Sequence, residues 1–472
     1  MPPHTASLAP DSLLATPAQA ADRAVSRSIA RGWFLFAVGS LVLAGLLSLL
    51  LVVGRLPFLG AVFTDPLFFK RALVVHVDLA LVVWFQAGTL AFLALALGSS
   101  LPRRLVGLSF ALCGAGIAGM LSGALMPGAL PILSNYVPVI DHPVFLTGLT
   151  AWFAGSGLFF LGALTARPDA GCPLPDEVVV ALRAAAAGNL MALLTFAAAW
   201  RTTLHGLPAI GYYELVMWGG GHALQAANVA AMLGLWLLLL HRWSGRAVLT
   251  PAASRWILSA LVAPHALLPA LALQGTSSGA YVELATDLMR WTLFPVILIV
   301  LGLGLRHVIA TRRSSAVPFA FDHRIAGLAG SASLAVLGIV LGAFIRGSNT
   351  LVPGHYHAAI GAVTLALMTA AYDFCADTSA RAVAGQIWRR ARLQLLTFGT
   401  GQAVFAIGFG IAGVHGLGRK QYGVEQHVRT LGEYVGLGVM GVGGIFAVAG
   451  GLLFLAVMLR AIGSWRRPVP QP

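Results

Sequence analysis

Charge is what this chain has least of. Of its 472 residues, 10% are Asp, Glu, Lys or Arg, while 58% are hydrophobic. Soluble domains carry about 25% charged residues. A chain of this length folded into several water-soluble domains would lack the polar skin to cover them, which excludes a soluble enzyme. Lysine is scarcer still, with Lys70 and Lys420 alone. The other basic residues are arginines in short segments between apolar runs. That is how topology-setting charge is spread along a membrane protein, so the net charge of +14 does not argue for a nucleic-acid partner. Cysteine is limited to Cys113, Cys172 and Cys375, with no CxxC or CxxCH. This excludes a thiolate metal site, a disulfide framework and covalently attached haem. No polar linker or composition shift divides the chain. No inverted repeat or pair of matching broken helices suggests a transporter.

What is there is a series of long apolar runs. A membrane-spanning helix needs about 20 apolar residues. Twelve such helices are predicted near 33–54, 72–98, 105–127, 143–166, 178–200, 212–240, 256–274, 286–308, 324–345, 354–374, 392–414 and 433–459. The fold class is therefore an all-α polytopic membrane bundle. Residues 32–461 form one membrane domain, between a loose tail over 1–31 and a short tail over 462–472. The first run is too long for a signal-peptide core and reads as a retained span. Arginines concentrate in the segments on the N-terminal side, among them Arg27, Arg103, Arg312 and Arg390. Fewer basic residues, such as Arg55, Lys70 and Arg346, lie on the other side. Both termini are expected in the cytoplasm.

Five of the 13 histidines lie inside spans: His76, His222, His265, His355 and His357. An imidazole in a bilayer is costly and marks function by default, although one also serves as a hydrogen-bonding link between helices. These five come from four helices and sit at similar depth in the outer half of the membrane, which suggests a shared cofactor. Residues i and i+2 point roughly 200° apart on a helix, so His355 and His357 suit two different metals on opposite sides of one helix. Paired with His76, one of them gives bis-histidine haem ligation, suited to electron transfer. The other leaves a haem with an open face, suited to binding a small gas. His222 and His265 are then placed to bind a second metal.

At these residues the chain resembles subunit I of the haem–copper oxidase superfamily, which includes cytochrome c oxidase subunit I and the large subunit of nitric oxide reductase. The stretch PGHYHAAIGAVTLALM (353–368) is similar to the helix-ten motif and RALVVHVDLALVVWF (71–85) to the helix-two motif. MWGGGHALQAAN (217–228) is similar to the copper-site helix, and HGLGRKQYG (415–423) to the outer loop whose basic pair meets haem propionates. The resemblance implies that His76 and His357 ligate a low-spin haem. It implies His355 as proximal ligand of a high-spin haem, His222 and His265 as ligands of copper or non-haem iron, and Arg419 and Lys420 as propionate partners. It further implies two haems of b type, a cytochrome c-like donor or electron-donor subunit, and a place in a bacterial inner membrane. The expected activity is terminal reduction of O2 in a respiratory chain. The alternatives are NO reduction and a non-catalytic haem b protein for electron transfer or gas sensing.

The chain departs from that pattern in three places. His265 is followed by Ala266, where the family usually has a second histidine. Ala226 stands four residues after His222, where the oxidases carry a tyrosine and nitric oxide reductase a glutamate. The segment GSSLPRRL has no acid to open a proton channel. Of the in-span polar groups, Gln225 projects on the face of His222, Asp78 points away from His76, and Glu214 is an acid near the outer end of its helix.

Overall fold

A computed structural model describes residues 16–54, 66–169, 171–313, 322–378, 381–420 and 427–465. Twelve of its helices are long and apolar enough to cross a membrane. In chain order they are α1 (Pro17–Leu50), α2 (Leu67–Ser100), α3 (Arg103–Gly123), α4 (Pro143–Thr165), α5 (Asp176–Thr202) and α6 (Ala209–Ser244). The remainder are α7 (Pro251–Ala272), α8 (Gly279–Thr311), α9 (His323–Ala343), α10 (Leu351–Thr378), α11 (Arg390–Val414) and α12 (Leu431–Gly463). All twelve expected spans are present, and the chain is an integral membrane protein. Between α3 and α4 the chain forms a short antiparallel pair, β1 (Leu130–Ile132) against β2 (Val139–Asp141).

Three helices form the centre. About nine-tenths of the apolar window is buried in α2 (89%), α6 (94%) and α10 (89%), against 22% in α8. A helix that is hydrophobic on every face belongs inside a bundle, and these three carry four of the five in-span histidines. The outer helices close around them by glycine contacts. A Cβ at Gly408 of α11 would lie 2.2 Å from Met440 N of α12, and one at Gly116 of α3 would lie 2.6 Å from Trp152 N of α4. Van der Waals packing of this kind holds helices together where lipid removes the hydrophobic drive.

The expected loose tail is corrected in part. Residues 1–15 and 466–472 lie outside the described residues, but the chain is helical from Pro17 onward. Tertiary contacts hold the segment. The Ser26 hydroxyl donates to the buried Asp169 carboxylate and accepts from Ser99 N at 2.8 Å, and Arg31 donates to the Thr378 carbonyl. The sequence reading weighed only apolar length and so began the helix at Trp33.

Buried ion pairs fasten the end of the bundle away from the five in-span candidate histidines. Arg324 and His323 at the start of α9, and Arg242 at the end of α6, converge on Asp373 of α10. Arg324 Nε lies 2.9 Å from Asp373 Oδ2, and Arg242 also reaches Asp377 at 2.6 Å. Charges at such depth persist only when paired and hydrogen-bonded. The cluster therefore fixes the relative rotation of α6, α9 and α10, and so the aim of their histidines.

Candidate functional site

The histidines gather in the half of the bundle nearest the α3–α4, α9–α10 and α11–α12 loops. His355 and His357 leave α10 toward different neighbours. The Nδ1 of His355 donates to the Gly338 carbonyl of α9 at 2.7 Å. Its ring rests on Gly342, where a Cβ would come within 2.8 Å of Nδ1. His357 instead meets α11, edge-on to Phe405 at 4.7 Å and stacked on Phe409 at 5.7 Å between centroids. The near-200° separation thus sets the two imidazoles against two different helices. His76 of α2 donates from Nδ1 to the Ala44 carbonyl of α1 at 2.8 Å.

A carbonyl can only accept, so the Nδ1 of His76 and of His355 carries the proton, and each neutral ring presents Nε2 as its lone pair. This is the arrangement that fixes a ligating histidine for a metal at Nε2. The donor set fits haem. On the resemblance, His76 and His357 would hold one haem and His355 another.

His222 and His265 behave differently. The Nδ1 of His222 donates to the Trp218 carbonyl at 2.7 Å, one turn back on α6. Its Nε2 is already met by the hydroxyl of Tyr136 at 3.0 Å. Because Nδ1 holds the proton, Nε2 accepts and the phenol donates. The same hydroxyl lies 3.6 Å from the sulfur of Met289. His265 of α7 is buried, like His222. The carbonyls of Leu261 and Val262 lie near its ring, but among the described residues neither ring nitrogen has a partner in hydrogen-bond geometry. Among the described residues no three His, Cys, Asp or Glu side chains come together as a metal site. The residues present do not fit a second metal.

Tyr136 does not stand at the helix-six position, Ala226, where the resemblance places a tyrosine. It comes instead from the loop after β1, with φ of +68°. Burial pushes its hydroxyl above the usual phenol range, which keeps it a donor. The glycine triplet ahead of His222 makes room for it. A Cβ at Gly219, Gly220 or Gly221 would fall 2.4, 2.3 or 2.4 Å from Tyr281, Phe196 or Tyr136. Three aromatic side chains therefore approach the α6 backbone where those glycines stand. The run WGGGH carried that signal, since three consecutive glycines weaken a helix unless something must come close.

Arg419 and Lys420 occupy the expected loop. The Arg419 guanidinium donates to Ser348 Oγ at 2.9 Å and Asn135 Oδ1 at 3.3 Å, and Lys420 is exposed with φ of +63°. Glu214 accepts from both the backbone and the side-chain amide of Asn135, the backbone bond at 3.0 Å. The residue before Tyr136 is thus gripped from two sides. Three of the helices here break regular geometry: π turns at Asp78–Val83 in α2 and Met289–Leu293 in α8, and a 3-10 turn at Ala263–Ala266 in α7. Pro264, which has no N–H to donate, explains the last. Such breaks concentrate at functional sites. Asp78, fully buried at the first π turn, has no partner for its carboxylate among the described residues.

A solved haem–copper terminal oxidase, determined as a dimer, superposes on this chain with a TM-score of 0.67, covering 94% of this chain and 85% of its own, at 14% identity. The chain has the fold of a haem–copper terminal oxidase. Two sequence relatives are uncharacterised proteins. An uncharacterised protein of Aquifex aeolicus (strain VF5) is 28% identical over 355 residues, 72% of this chain and 83% of its own length. An uncharacterised protein of Rickettsia prowazekii (strain Madrid E) is 24% identical, covering 92% of this chain and 95% of its own. No family model matches.

Proposed function

We propose that the chain is a membrane oxidoreductase that carries two non-covalent haems and passes electrons to a small gas. The observation that carries this is the opposed pair on α10, His355 toward α9 and His357 toward α11. It is joined by His76, whose proton is fixed on the far nitrogen by Ala44. Haem held by two imidazoles supplies one-electron transfer, and haem held by one supplies a site for a diatomic ligand. The protein's part is to fix tautomers, hold the rings and exclude water. Gly338 and Ala44 do the first, Gly342 and Phe409 the second, and the buried faces of α2, α6 and α10 the third.

O2 is the substrate we assign, with NO to be assayed beside it. Electrons come from a cytochrome c-like donor or a donor subunit. The protein is assigned to a bacterial inner membrane with both termini in the cytoplasm, on the distribution of arginine. A second reading, a haem electron carrier or gas sensor without turnover, is favoured by one observation: Tyr136 occupies Nε2 of His222.

The deciding experiment is purification in mild detergent with a pyridine haemochrome assay against protein concentration. Two haems per chain are expected. A folded, monodisperse sample without haem would refute the proposal. With haem present, consumption of O2 or NO from one artificial donor separates the two readings.

A further inference from the structure

Both ring nitrogens of His222 are engaged in hydrogen bonds. Its proton-bearing nitrogen is committed to Trp218 and its lone pair to Tyr136. The contact is built from several directions. Glu214 and Arg419 grip Asn135, which fixes the chain just before Tyr136. The Ser134 hydroxyl donates to the Val137 carbonyl at 2.7 Å and closes the loop around it. Gly221 lets the Tyr136 ring lie against the α6 backbone, and Trp218 borders it edge-on at 6.0 Å. This leaves His265 as the one buried imidazole of the pair with neither nitrogen hydrogen-bonded among the described residues, and a single imidazole is a poor site for any divalent ion.

We infer that Tyr136 occupies the coordination position of His222, so that this chain holds a phenol–imidazole hydrogen bond where the oxidase resemblance placed a second metal. Tyr136 is then a positioning residue for His222, and the polar group presented on that side of the site is a hydroxyl and not an ion. The inference takes its setting from the proposed haem function but is decided by metals other than haem iron.

The experiment uses the full chain in detergent, from cells supplied with copper, zinc and iron, after dialysis against a chelator. Wild type is expected to contain iron equal to its haem and copper and zinc well below one per chain. Zn2+ and Cu+ are then titrated into wild type and Tyr136→Phe. The phenylalanine keeps the ring and its packing and removes only the hydroxyl. It is expected to expose Nε2 beside His265 and to bind one ion roughly 10- to 100-fold tighter than wild type, the range over which partners of ligating histidines act. Tyr136→Phe combined with His222→Ala should lose that gain. About one copper or non-haem iron per wild-type chain would overturn the inference, as would a Tyr136→Phe variant that binds no better than wild type. A sample without haem would refute the proposed function, while the titration still decides this point.

Discussion

His355 and His357 are neighbours but one in the chain, and their rings touch different helices: His355 hydrogen-bonds the Gly338 carbonyl of α9 at 2.7 Å, while His357 stacks on Phe409 of α11. One helix thereby presents its histidines to two neighbours. Substitutions at the two positions should have separable effects, because no single cofactor can lose both ligands at once.

The spectra should divide accordingly. His76→Ala is expected to remove the sharp low-spin bands and leave carbon monoxide binding. His355→Ala is expected to do the reverse. Difference spectra of the dithionite-reduced protein, with and without carbon monoxide, provide the measurement. A low-spin signal unchanged in His76→Ala would show that α2 does not supply that ligand.

The glycines ahead of His222 should be intolerant in proportion to what a methyl group would meet. Gly221→Ala places a Cβ 2.4 Å from Tyr136, and Gly220→Ala places one 2.3 Å from Phe196. Overpacking of this kind costs about 1–3 kcal/mol. Gly302→Ala in α8, with nothing within 4 Å, serves as the control. Thermal unfolding in detergent should show a lowered midpoint for the first two and none for the third. Equal behaviour of all three would mean the aromatic rings yield freely.

The ion cluster at the opposite end should be sensitive to loss of a single partner. Asp373→Asn leaves Arg324 and Arg242 without their shared carboxylate in a largely buried setting. Breaking a buried pair typically costs about 3–5 kcal/mol, and the partial exposure of the arginines should bring this case toward the lower end. Lowered thermal stability with haem spectra retained is the expected result. Unchanged stability would show that Asp377 and Asp322 suffice for the two arginines.

Much of this was legible in the sequence, for a physical reason. Lipid forces every backbone polar group into a helix, so apolar length alone placed all twelve spans. Helical periodicity alone separated His355 from His357. Tyr136 was not legible, because its contact with His222 joins residues 86 positions apart through a loop that follows no helical period. The start of α1 was also missed. Ser26 and Arg31 read as tail until Asp169 and Thr378, far away in the chain, supply their partners.

Glu214 offers the clearest test of whether the Tyr136 loop is held or merely rests in place. The residue can be read as a proton relay in the membrane or as a clamp. The geometry gives it two acceptor bonds to Asn135, while Arg419 holds the same side chain from across the loop. A clamp and a relay fail differently. Glu214→Ala removes both bonds and should free residues 130–141. Their amides should exchange hydrogen faster, and zinc uptake at His222 should rise part of the way toward Tyr136→Phe. Glu214→Gln keeps a carbonyl oxygen able to accept one of the two bonds, so its effect should be intermediate. Loss of a relay would instead slow turnover equally in Gln and Ala and leave hydrogen exchange and zinc uptake unchanged. Graded exchange across wild type, Gln and Ala, measured by mass spectrometry on the 130–141 peptides, supports the clamp. A flat response with impaired turnover supports the relay, and would mean that the grip on Asn135 is incidental to where Tyr136 sits.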